Sequence, residues 1–189
     1  PKMTSSDNER KYSEIIDSLS ELVSIPLALK MSHYSASLAN LIQKLSWTDK
    51  ISGFVLFNRY YTPDIDIEKM VVKSADVLSS PAEAAGPLRW IALMSGLIEK
   101  DLVASTGVHD SEAVIKQILA GATAVQIVST LYKNGAEQIG KIQQGIELWM
   151  EQKSFTHLAD FRGKLSYGRA TEPTVFERTQ FMKYYGGLS

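Results

Sequence analysis

Cysteine is absent from the 189 residues. That excludes disulfides, cysteine-bound zinc and a cysteine nucleophile within this chain, and it fits a reducing, cytoplasmic setting. An excess of one charge is also missing: 20 basic and 21 acidic residues leave a formal net charge of −1. No basic field exists to draw in nucleic acid or an anionic membrane. No apolar run reaches the length that spans a bilayer. The opening stretch, Pro1-Lys2-Met3-Thr4-Ser5-Ser6-Asp7, lacks the apolar centre of a secretory signal. It reads as the inside of a loop running into a helix rather than as a natural start. Metal-ligand spacing is lacking as well. His33, His109 and His157 have no partner at such a spacing, so no metal site is expected. The carboxylates Asp64, Asp66 and Glu68 lack the glycine of an EF-hand loop and read as a solvated loop.

What remains is an ordinary core-forming chain, 44% hydrophobic. From Asn8 to Val23, Tyr12, Ile15, Ile16, Leu19, Leu22 and Val23 recur at helical spacing. Pro26 to Lys30 reads as a short buried strand, Ser35 to Leu45 as a helix, and Gly53 to Phe57 as a second strand. A long, mostly irregular connection is expected from Asn58 to Ser80, and long loops in compact domains are often functional. Then follow a helix from about Ala82 to Leu97, a strand at Leu102–Ser105, a helix from Glu112 to Leu119 capped by Asp110 or Ser111, and a strand at Ala124–Val128. Ile139, Ile142, Ile146 and Trp149 mark one face of a last long helix. Trp47, Trp90 and Trp149 are expected in packing. Residues 1–153 make the body, and 154–189 a tail of short helices laid over it. Continuous apolar strands alternating with helices imply a parallel sheet covered on its faces. A small open doubly wound sheet and half of a (β/α)8 barrel both satisfy this pattern.

Chemistry concentrates where strands end. Ala104-Ser105-Thr106-Gly107 and Gln126-Ile127-Val128-Ser129-Thr130 each close a strand in small or hydroxylated residues and lead into a helix. Small side chains let backbone N–H groups approach phosphate oxygens, and consecutive loops of a barrel commonly form such a site. Lys30 ends an otherwise apolar strand, where a cation is expensive without an anionic or polar partner. Asn58 ends the second strand, and its amide offers both a donor and an acceptor to a planar substrate.

Two segments resemble the dihydroorotate dehydrogenase family, closest to its class 1 branch. Leu119-Ala120-Gly121-Ala122-Thr123-Ala124-Val125-Gln126-Ile127 is similar to the family's Leu-x-Gly-Ala-x-x-x-Gln segment, and Ala159-Asp160-Phe161-Arg162-Gly163-Lys164-Leu165 to its closing Asp-Phe-x-Gly-Lys-Leu element. The resemblance implies the C-terminal half of a TIM barrel with four parallel strand–helix units and a helical C-terminal tail. It implies FMN as cofactor and a dihydropyrimidine such as dihydroorotate as substrate. By the same resemblance Lys30 contacts the flavin ring and Asn58 holds the substrate. Thr106-Gly107 stands where the family has Gly-Gly, and Val128-Ser129 where it has Gly-Thr, as two grips on the FMN phosphate. Arg89 stands where class 1 members tend to carry lysine. The catalytic base is expected upstream, so this chain is expected to be a fragment without it, paired with its missing half or forming a homodimer. A barrel acting on a phosphorylated metabolite without flavin, and a non-catalytic flavin-binding subunit, remain open beside this reading.

Overall fold

The computed structural model of the chain describes residues 4–33 and 37–177. Ser35, where the sequence places the start of the second helix, and residues 178–189 of the tail lie outside them.

Helix α1 (Ser5–Leu22) is capped by Thr4, whose side chain accepts from the Asp7 N–H. It leads to β1 (Ala28–Lys30), α2 (Leu38–Ser46) and β2 (Gly53–Leu56). A hairpin of β3 (Pro63–Asp66) and β4 (Val71–Ser74) follows. A 3-10 turn at Pro81–Ala84 then runs into α3 (Ala85–Met94). The remainder alternates as β5 (Asp101–Ser105), α4 (Ser111–Ala120), β6 (Ala124–Gln126), α5 (Ser129–Asn134) and α6 (Gln138–Gln152).

Strands β1, β2, β5 and β6 form one sheet in that order, every neighbour parallel. The register divides it into two unlike faces. Leu29, Phe54, Leu56, Leu102, Ala104 and Val125 share one face and pack into the main core with Leu41, Ile42 and Ile91 from the helices. Helix α2 supplies all four of its expected apolar residues, Leu38, Leu41, Ile42 and Leu45, to burial. The opposite face carries Lys30, Val55, Val103, Ser105 and Gln126. Burial there falls off sideways: β2 is buried throughout, whereas Ala28, Lys30, Ala124 and Gln126 on the outer strands are exposed. A second core joins α4 to α6 and the tail, with Phe161 fully buried between Trp149 and Phe155. The tail is held by backbone: Gly163 N–H donates to Ile118 O, Leu165 N–H to Leu119 O and Tyr167 N–H to Ala92 O.

Four expectations need correction. The Asn58–Ser80 connection, expected without a strand, holds a hairpin in which β3 and β4 pair antiparallel, with Asp64 bridged to Lys73. Strand β6 stops at Gln126, and a separate short helix, α5, begins at Ser129. The helix placed at Ala82–Leu97 opens as a 3-10 turn, where Ser80 and Glu83 cap each other, and ends at Met94. Trp47 is 78% exposed and is no part of the core.

Candidate functional site

All four parallel strands end on the same side of the sheet, so the residues that follow them converge. Lys30, Thr106, Gly107, Val128 and Ser129 line one cleft of about 90 Å3, together with Arg59, Ser79 and Gln126. Five of the six residues singled out in the sequence are thereby brought together. Asn58 is not among the lining residues; its N–H donates to Met31 O at the end of β1, and it is exposed.

The turn after β5 has an unusual backbone. Thr106 has φ 85° and Gly107 φ 77°. For a β-branched residue that conformation is an outlier, and it persists only where the surroundings impose it. Here Thr106 Oγ1 donates to Phe57 O at 3.2 Å, and Gly107 lies against the 3-10 turn. A β-carbon on Gly107 would stand 2.6 Å from Glu83 C and 2.7 Å from Ala84 Cα. Thr106 and Gly107 both line the cleft. Among the described residues, none accepts from the N–H of Thr106, Gly107 or Val128. The bulk of Val128 does not close the cleft, since that residue is 59% exposed.

Two further polar residues, Gln126 and Ser79, complete the cleft. Gln126 Oε1 accepts from Lys30 Nζ at 3.3 Å, across the two strands that separate them. Ser79 is buried and joins the two halves of the cleft. Its N–H donates to Ser129 Oγ at 2.8 Å, its Oγ lies 3.2 Å from His109 Nε2, and its carbonyl accepts from Lys133 Nζ. Thr130 Oγ1 and Gln138 Nε2 both donate to His109 O, which fixes the loop after β5 on α5 and α6. Gln126 had a signal in the sequence, as the glutamine of a family-like segment, and Thr130 as a hydroxylated residue at a strand end. Ser79 meets Ser129 across 50 residues, a pairing no local pattern announces.

Arg59 is the other cation at the cleft, and its charge is already engaged. Its Nε donates to Glu83 at 2.8 Å, Nη2 to the same carboxylate at 3.3 Å, and Nη1 to the carbonyls of Asp76 and Val77. The Arg59 hydrogen bond holds the Glu83 carboxyl below its ordinary value, helped by the Ser80 N–H. Glu83 therefore stabilises the fold fully above pH 4.5, and that contribution is lost as pH falls through its lower folded value. The side chain is a third exposed, so Glu83→Gln is expected to cost about 1 kcal/mol at neutral pH. Urea denaturation of both proteins should show that difference shrinking as pH falls below 4.5. A difference that stays constant with pH would contradict the pairing.

His33 and His157 stand elsewhere. His33 stacks on Phe57 at 3.8 Å, and burial pushes its imidazole pKa down. His157 opens the 3-10 turn at Leu158–Asp160, where its N–H donates to Asp160. Among the described residues no group of histidine and carboxylate side chains is arranged to hold a metal ion. None of the described helices is long and apolar enough to cross a membrane.

The cleft is small for a complete site. Pockets for small molecules and cofactors usually enclose roughly 300–1,000 Å3. Its donor-rich lining suits an anionic group rather than an entire ligand.

Comparison with known proteins bears on the family and the fold. The family model for dihydroorotate dehydrogenase matches residues 3–150. The catalytic subunit of dihydroorotate dehydrogenase B (NAD(+)) from Thermoplasma acidophilum is 25% identical over 153 residues, covering 79% of this chain and 50% of that protein. Its counterpart from Caldicellulosiruptor saccharolyticus is 28% identical over 165 residues, covering 85% and 53%. The chain thus spans about half the length of the curated relatives it matches. Among solved structures, the DHODH of Eimeria tenella in complex with ferulenol superposes with a TM-score of 0.61 at 16% identity, over 73% of this chain and 38% of that one. The four parallel strand–helix units are part of an α/β barrel.

Proposed function

This chain belongs to the dihydroorotate dehydrogenase family, and on that premise we propose that it forms the phosphate-holding half of a flavin site in a barrel that oxidises dihydroorotate or a similar dihydropyrimidine. One observation carries the reading. The ends of β1, β5 and β6 bring to a single cleft Lys30 and three residues whose peptide N–H groups have no acceptor among the described residues. That donor set fits the phosphate of FMN. When bound, FMN accepts hydride from the substrate.

The chain's own residues then have distinct tasks. The N–H groups of Thr106, Gly107 and Val128 and the Ser129 hydroxyl hold the phosphate. Ser79 keeps the Ser129 oxygen in place through its N–H. Lys30 supplies positive charge at the mouth, where Gln126 steadies it. Asn58, on the rim, orients the substrate. No base that takes the substrate proton is assigned to this chain, and we place it on the half that completes the barrel. Three features support such a companion. The outer strands β1 and β6 are exposed on the face opposite the main core. Helix α1 leaves Ile15, Leu19 and Leu22 exposed. The matched relatives are about twice as long. Ile65 and Val72, paired on one exposed face of the hairpin, give a homodimer a surface to cover.

The test is a comparison of FMN with riboflavin on the full-length protein. FMN is expected to bind at least about a hundredfold more tightly, since several charge-assisted hydrogen bonds go to the phosphate. Equal affinity for the two flavins would remove the phosphate grip from the proposal.

A further inference from the structure

A second cavity, of about 440 Å3, lies on the side of the sheet where β5 and β6 begin, away from the strand-end cleft. Its size falls in the roughly 300–1,000 Å3 range of small-molecule sites. Its walls are the residues after α3, the cap of α4 and the tail between Ala159 and Arg169. No carboxylate residue lines it, but two exposed arginines do, Arg162 and Arg169. Neither makes an ion pair or side-chain hydrogen bond with a described residue. Arg10, Arg59 and Arg89, by contrast, are all engaged.

Ser166 is the more telling residue. It is only 6% exposed, it lines the same cavity, and its hydroxyl meets no described partner. Its backbone is fully used: its N–H donates to Gly163 O and its carbonyl accepts from Arg169 and Ala170. That hydroxyl, with no described side chain or backbone group bonded to it, is available to a ligand or water in the cavity. The Gly96 and Gly168 N–H groups on the same wall also lack an acceptor among the described residues.

The helix ends nearby do not oppose an anion. Helices α3 and α4 turn their C-termini toward this region, where their dipoles are negative. The carbonyls at the end of α4 are taken, however. Gln117 O and Ile118 O accept from Gly121, Ala122 and Gly163, and Ala120 O accepts from Ser95 Oγ. What faces the cavity is therefore mainly donors and positive charge. Two planar guanidinium forks match phosphate oxygens in pairs.

We infer that this cavity binds a phosphorylated small molecule, with Arg162 and Arg169 on the phosphate and Ser166 donating to it. The inference does not rest on the flavin reading. It is tested by calorimetric titration of the full-length protein, saturated with FMN, against ribose 5-phosphate and separately against inorganic phosphate. Both are expected to bind, ribose 5-phosphate the more tightly. The double variant Arg162→Ala/Arg169→Ala is expected to weaken both by at least about tenfold, with melting temperature and flavin content unchanged. Ser166→Ala gives a smaller loss in the same direction. No heat in the wild type up to about 1 mM ligand, or equal affinity in wild type and double variant, overturns the site. Binding of inorganic phosphate with exclusion of ribose 5-phosphate overturns the assignment to a phosphorylated metabolite. If FMN fails to bind while the arginine-dependent response persists, the flavin reading fails and this one stands.

Discussion

Alanine in place of Gly107 is expected to lower stability by about 3 kcal/mol or more, from overpacking and backbone strain together. The added β-carbon meets the backbone of the Glu83–Ala84 peptide, Glu83 C at 2.6 Å and Ala84 Cα at 2.7 Å, so no side-chain rotation relieves it. The residue also sits at φ 77°, where an L side chain is disfavoured. Relief requires the Pro81–Ala84 turn to move, and that turn carries Glu83, the partner of Arg59. The damage should therefore reach the cleft as well as the melting temperature, with flavin retention falling in parallel. Thermal denaturation and the flavin absorbance of the purified variant check both halves. A variant with wild-type stability would mean that the turn is not held against Ala84.

Lys30→Ala is expected to act on the chemistry and leave the fold largely alone. The side chain is exposed at the end of β1, and its one hydrogen bond goes to Gln126. Losing that bond removes little stability. Losing a positive charge fixed where negative charge develops is a larger matter, on the order of a hundredfold in rate. Anaerobic stopped-flow measurement of flavin reduction by dihydroorotate separates the two effects. The rate should drop about a hundredfold, with melting temperature and flavin content near those of the wild type. A Lys30→Ala protein reduced at the wild-type rate would take Lys30 out of the proposed mechanism.

Much of the framework was legible because burial and hydrophobic pattern coincide. Gly53 to Leu56 is an unbroken apolar run with a buried strand beneath it. The apolar spacing of α2 marks the four residues that face the core. The hairpin was hidden for the opposite reason. Ile65 and Val72 face solvent, so their alternation reports no core, and the pairing of β3 with β4 depends on register across a turn. Helix α5 is one and a half turns long, too short for a period of 3.6 to declare itself. The misread Trp47 shows the limit of residue type as a guide to burial, since it ends α2 on the solvent side.

At the cleft, strand ends were the readable part. Small and hydroxylated residues after β5 and β6, and a lysine after β1, stand out against apolar runs. What joins them was not readable. Arg59 and Ser79 come from the long connection and Glu83 from the 3-10 turn after it, and they matter through contacts that only folding creates. Two of the departures from the family pattern, Thr106 and Val128, resolve in physical terms. Thr106 adopts the left-handed backbone that glycine would favour and turns its hydroxyl to Phe57 O. Val128 is largely exposed instead of filling the cleft.

Dihydroorotate added without oxygen to the flavin-loaded full-length protein is the most direct trial of the proposed function. Bleaching of the flavin absorbance, slowed on the order of a hundredfold by Lys30→Ala, is the expected result. Flavin that binds but stays oxidised in the presence of dihydroorotate and related dihydropyrimidines would contradict it.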